Sequence, residues 1–243
     1  GFFMRFYKFF ISIFLIFTMC FYITTPVFSE ETTYVWSPNN NSLNDSTNDN
    51  SSQVKETNSE VDESNSLSLE SGSAILIEQT TGQVLYSHNA HEQLRPASVT
   101  KVMSILLIME ALDSNKISLT DSVPCSENAA SMGGSQIWLD PRETLTVDEM
   151  LKAICVNSAN DCVVAMSEFI AGSEEAFVQL MNDKAKELGM NDTCFKNCHG
   201  LDEDGHVTSA YDISLMSREL LVNHPTITNY TTIWTDTLRN RKI

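Results

Sequence analysis

The chain has 243 residues, with 15 Lys or Arg against 32 Asp or Glu and a formal charge of −17. That length allows one or two domains. So acidic a chain excludes nucleic acid as a partner, because phosphate backbones are held by clustered cations; solubility outside a cell is a sufficient reason for the acidity.

From the N-terminus, Arg5 and Lys8 precede an almost unbroken apolar run from Phe9 to Ile23, followed by Val27-Phe28-Ser29. This pattern predicts a secretory signal peptide over residues 1–29 and hence a secreted protein. The apolar run is shorter than the roughly 20 residues of a spanning helix, and Phe17-Thr18-Met19 lacks the small residues expected before a lipidated Cys20. Removing residues 1–29 leaves 13 of the 15 basic residues against all 32 acids, a net charge of −19. Residues 30–69 are dominated by Asn, Ser, Thr, Asp and Glu; they cannot bury enough apolar surface to offset the entropy of ordering, and are expected to be a disordered polar linker. The folded domain is expected over residues 70–243.

Within it, Ser73 to Glu78 and Gln83 to His88 are short runs rich in β-branched or aromatic residues around Gln79-Thr-Thr-Gly82, which predicts a hairpin. After Arg95-Pro-Ala97 a helix is expected from Ser98 to about Leu112, apolar nearly all round and therefore central and buried. The next stretch reads as loop to Met132-Gly-Gly-Ser135. Thr146-Val-Asp-Glu149 is a capping box opening a helix through Met150, Leu151 and Ile154. Asn157-Ser-Ala-Asn160 interrupts it. Further helices are expected to Ala171, from the Ser173 cap to Leu188, and from Ser209 to about Val222, with Gly172 and Gly189 as stops. Strands followed by helix upon helix predict an α+β fold, an antiparallel sheet with a helical insertion.

Cys125, Cys155, Cys162, Cys194 and Cys198 are an odd five after the signal, so they form no dense disulfide framework. Cys194 and Cys198-His199 have no second ligand pair at suitable spacing, so no metal site and no cofactor is expected. His199 and His206 flank Asp202-Glu-Asp-Gly205, where an acidic turn explains them sufficiently.

Chemistry concentrates in Ser98-Val-Thr-Lys101, where a spacing of three places a hydroxyl and an amine on one face of the first helical turn. A serine needs a base to become a nucleophile, and a neutral lysine can serve. Burial and the positive end of the helix dipole both favour the neutral amine. The alternative, an N-cap serine beside a lysine snorkelling to water, suits a buried helix poorly. Ser158-Ala-Asn160 supplies context about sixty residues on, an S-x-N element that accompanies S-x-x-K chemistry.

With Ala74-Ile-Leu-Ile77, Thr81-Gly-Gln-Val-Leu-Tyr86, Gly134-Ser-Gln136, His199-Gly-Leu-Asp202 and Ser209-Ala-Tyr-Asp212, these motifs make the chain resemble the serine D-alanyl-D-alanine carboxypeptidases, the low-molecular-mass penicillin-binding proteins, from Ser73 to Trp234. The resemblance implies a β-lactamase/DD-peptidase-like fold with a helical subdomain inserted after the nucleophile helix. It implies that Ser98 attacks the bond between two D-alanines of a peptidoglycan stem peptide to form an acyl-enzyme, with Lys101 as base, Ser158 as proton relay and Asn160 as substrate contact. It further implies β-lactams as covalent inhibitors of Ser98, and peripheral membrane contact through a C-terminal segment.

The family's third element, K-T-G, is absent from these 243 residues; the expectation is that the sequence is C-terminally truncated and that this piece by itself is inactive. With two strands alone to cover it, the central helix is expected to leave Leu106, Ile108 and Met109 partly in water. Two competing readings are a β-lactamase, disfavoured because alanine stands between Ser158 and Asn160 where aspartate is usual, and a non-catalytic penicillin-sensing or cell-wall-binding domain.

Overall fold

The computed structural model describes residues 69–239 and 241–243. The expected signal peptide and, apart from Leu69, the expected linker lie outside the described residues.

The described residues open with strands β1 (Ala74–Ile77) and β2 (Val84–His88), paired antiparallel with Ala74 opposite His88 and Leu76 opposite Tyr86. The turn between them is built by Glu78, whose carboxylate accepts the N–H groups of Thr80 and Thr81 at 2.9 and 2.6 Å. A 3₁₀ turn, Ala97–Thr100, leads into α1 (Lys101–Asp113). The sequence places Ser98 at the start of an α-helix; the structure tightens that first turn to 3₁₀, a common form at helix N-termini.

Next come β3 (Ser122–Pro124), α2 (Glu127–Ala130) and β4 (Thr144–Thr146). β3 and α2 fall in the stretch expected to be loop, and β3 pairs antiparallel with β4 beyond it; three-residue strands carry no readable alternation. α3 (Val147–Asn157) opens on the expected capping box: Thr146 Oγ1 accepts the Glu149 N–H, and Glu149 returns to the Thr146 N–H. α4 (Asn160–Ala171), α5 (Glu174–Glu187) and α6 (Ala210–Asn223) follow, with Gly172 ending α4 in the left-handed region and Ser173 and Ser209 capping α5 and α6. A second 3₁₀ turn, α7 (Thr228–Thr231) and a short pair, β5 (Thr237–Leu238) with β6 (Arg241–Lys242), complete the described chain.

The α+β reading holds, with small antiparallel pairs and a helical body. One expectation fails. Leu106 and Ile108 are fully buried and Met109 is 2 % exposed, because α1 is surrounded by α4, α5 and α6 rather than by strands. Helix-on-helix packing supplies most of the cover that the hairpin cannot. The hairpin is the part left in water: Leu76, Val84 and Leu85 are all exposed.

Candidate active site

Ser98 stands exposed on the 3₁₀ turn, and Lys101, one turn on, is buried. The Lys101 Nζ lies 3.2 Å from Ser98 Oγ and donates to the His199 carbonyl at 2.7 Å. The turn is strained just before Ser98: Ala97 has φ +47°, a conformation that costs a residue with a Cβ about 1 kcal/mol or more.

What holds Ala97 there is the segment 197–201. Gly200 has φ +91°, and a Cβ on it would run into the Ala97 carbonyl and come within 3.0 Å of Thr100 Oγ1. Only glycine lets these two backbones approach. The segment is fixed from below by α1, since Ser104 Oγ donates to the Cys198 carbonyl at 2.6 Å. Thr100 Oγ1 and His206 Nε2 are 2.7 Å apart, and the Lys196 N–H donates to His206 Nδ1, which leaves Nε2 as the protonated nitrogen facing Thr100. The backbone bridges Cys194 with Val207 and Leu94 with Thr208 close the base of the loop.

Burial is the first cause that lowers Lys101, to a pKa of about 8. The Cys198 thiol beside it would oppose this only as a thiolate, and burial pushes that thiol well above its ordinary value. The lowering therefore stands. Burial, then the Lys101 charge, depress His199 to about 4, so its ring is neutral near pH 7.

Ser158 sits in the break between α3 and α4 at φ +55°. Asn160 opens α4: its Nδ2 donates to the Gly133 carbonyl at 2.7 Å, its N–H donates to the Ser135 carbonyl at 2.7 Å, and its Oδ1 is buried without a hydrogen-bond partner. A Cβ at Gly134 would lie 2.8 Å from Asn160 Nδ2 and 3.5 Å from Leu201. Gly134 thus links the S-x-N break to the same segment that abuts Ala97. The structure joins Ser98 and Lys101 directly, but it does not join Asn160 or Ser158 to Lys101 by a hydrogen bond.

Neighbouring Asp161, fully buried, fastens the loop before β4: it accepts from the N–H groups of Ile137 (3.2 Å), Leu139 (3.0 Å) and Cys162 (3.0 Å). Sequence reasoning missed His199, His206 and Ser104. The two histidines are parts of the floor beneath the Ser98 turn rather than of a solvated acidic turn, and the signal that could have found them was Gly200, a glycine between two chemistry-bearing motifs. Among the described residues no three His, Cys, Asp or Glu side chains gather as metal ligands.

A family model described as D-alanyl-D-alanine carboxypeptidase matches residues 56–243. The chain is 58% identical over 170 residues to the D-alanyl-D-alanine carboxypeptidase DacF of Bacillus subtilis, covering 70% of this chain and 43% of that protein. Among solved structures, penicillin-binding protein 6B from Escherichia coli aligns with TM-score 0.68 and 33% identity over 71% of this chain and 56% of that one. Penicillin-binding protein D2 from Listeria monocytogenes in its ampicillin-bound form aligns with TM-score 0.64 and 28% identity over 73% of this chain and 72% of that one. The chain thus spans less than half the length of DacF.

Proposed function

The chain belongs to the D-alanyl-D-alanine carboxypeptidase family, and from that premise we propose that it carries the nucleophile of a serine-type carboxypeptidase removing the terminal D-alanine from peptidoglycan stem peptides. The observation that carries the proposal is the buried Lys101 amine, lowered to about 8 and set 3.2 Å from the exposed Ser98 hydroxyl. A neutral amine there accepts the Ser98 proton as Oγ bonds to the carbonyl carbon of the penultimate D-alanine. Negative charge then gathers on that carbonyl's oxygen, against the Ser98 N–H at the positive end of α1. As the C–N bond breaks, the departing amine takes a proton relayed through Ser158, leaving an ester on Ser98 and free D-alanine. Water attacks that ester as Lys101 takes its proton; the acyl C–O bond then breaks, Lys101 returns the proton to Ser98 Oγ, and the shortened peptide leaves as its carboxylic acid. Asn160 Oδ1, buried and unpaired, is suited to accept an N–H of the substrate backbone, since an acceptor left empty there costs free energy until a ligand fills it.

β-Lactams present a strained amide of similar shape and acylate the same serine. Export by residues 1–29, a polar tether over 30–69, and work at the outer face of the membrane complete the proposal.

The test is labelled penicillin with the intact protein. Label should attach to Ser98, and Ser98→Ala should remove both labelling and D-alanine release from a D-Ala-D-Ala peptide. Label on another serine, or D-alanine release that persists in Ser98→Ala, would overturn the assignment.

A further inference from the structure

Lys101 is held by a carbonyl, so whatever fixes that carbonyl also fixes the base. We infer that Glu174, at the start of α5, is a positioning residue for Lys101, acting through the Cys198–His199 peptide. The inference rests on the role proposed for Lys101 above.

One carboxylate oxygen, Glu174 Oε1, lies 3.3 Å from the Cys198 N–H nitrogen, 3.3 Å from Cys198 Sγ and 3.4 Å from His199 Nε2. The Leu201 N–H donates to His199 Nδ1 at 3.1 Å, so Nε2 carries the ring proton, on the nitrogen that lies 3.4 Å from the carboxylate. From the other side, Ser104 Oγ on α1 donates to the Cys198 carbonyl at 2.6 Å. Residue 198 is thereby clamped by its N–H and its C=O from two different helices. The next carbonyl in the chain, that of His199, is the one that receives Lys101 Nζ at 2.7 Å.

A neutral amine has two N–H bonds and one lone pair. Spending one N–H on a fixed carbonyl restricts how the amine can turn, and keeps its lone pair available to Ser98. If the clamp loosens, the carbonyl moves, water reaches the amine, and the burial that favours its neutral form weakens. The titratable groups facing Lys101 are Cys198 and His199 from this loop. Behind them stand Glu174 from α5 and Glu203 and His206 from the rest of the loop.

Glu174 is not needed to cap its helix, because Ser173 Oγ already accepts the Ala176 N–H. Glu175 shares the same first turn, is exposed, and makes no contact with residues 198–201 among the bonds described. Glu175→Ala therefore removes the same charge from the same helix end and serves as the control.

The experiment follows the titration of the Lys101 amine by ¹⁵N-lysine NMR in the intact protein, with Glu174→Ala, Glu174→Gln and Glu175→Ala beside the parent. Penicillin acylation is timed across pH on the same samples. Glu174→Ala should move the Lys101 midpoint upward, carry the acid limb of the acylation profile with it, and slow acylation roughly tenfold at pH 7. Glu174→Gln, which keeps an acceptor oxygen, should restore most of both, and Glu175→Ala should change neither. A Lys101 midpoint in Glu174→Ala equal to that in Glu175→Ala would overturn the inference. Should the parent protein take no penicillin at all, the proposed activity fails, while the NMR titration still decides the role of Glu174.

Discussion

Lys101→Met separates what the buried amine does for chemistry from what it does to the fold. The unfolded chain holds its lysine proton until about pH 10.5, whereas the folded chain sheds it near 8. Between these values the unfolded state binds the extra proton, so stability rises with pH across that window; below about 8 the fold carries the full cost of a charged, buried amine. The shift corresponds to ~3 kcal/mol, and exposure of the neighbouring Ser98 face lets solvent screen it to ~2 kcal/mol. Methionine keeps an unbranched stem and removes the charge. It also leaves the His199 carbonyl without its donor, a loss of ~1 kcal/mol. The variant should therefore be more stable than the parent by ~1 kcal/mol at pH 7 and less stable by a similar ~1 kcal/mol above pH 10.5, where the parent no longer carries the charge in either state. Urea unfolding of both proteins at the two pH values measures the difference, in which the titrations of groups not coupled to Lys101 cancel. Penicillin acylation should be absent from the variant throughout. A variant less stable than the parent by the same amount at both pH values would refute the reasoning, because it would show that the folded lysine carries no penalty at neutral pH.

Two further outcomes follow from the backbone around the site. Gly200→Ala must meet the Ala97 carbonyl at φ +91°; urea unfolding should show a loss of about 3 kcal/mol from strain and overpacking together, with slower labelling of Ser98, whereas Gly72→Ala, with nothing within 4 Å, should be neutral. Asp161→Ala orphans the N–H groups of Ile137, Leu139 and Cys162; it should cost roughly 3 kcal/mol and raise hydrogen exchange at the Ile137 and Leu139 amides first.

Much of the helical body was legible because its punctuation is local. The Thr146 box, the Ser173 and Ser209 caps and the Gly172 stop each act within one turn of chain, and each holds in the structure. The Ser98–Lys101 contact was legible for the same reason, since three-residue spacing decides it. β3 and β4 were not legible, because what pairs them is tertiary. The His199 carbonyl was hidden for a different reason: it is a backbone group, 98 residues from Lys101, and no side-chain pattern announces which carbonyl will face a buried amine.

The mistaken expectation about α1 carries the same distinction further. Reasoning from strands, Leu106, Ile108 and Met109 looked uncovered, yet they are buried in a helix packed chiefly against α4, α5 and α6. The helices therefore make a core of their own, and the Ser98 turn is mounted on it rather than on a sheet. That arrangement explains how the strain at Ala97 can persist. A residue at φ +47° relaxes unless its surroundings over-determine it, and here Gly200 blocks one side while Thr100, Lys101 and Ser104 tie the next turns to residues 198–206. The geometry between Ser98 and Lys101 therefore depends on the helical core and on the loop that α5 fastens to it.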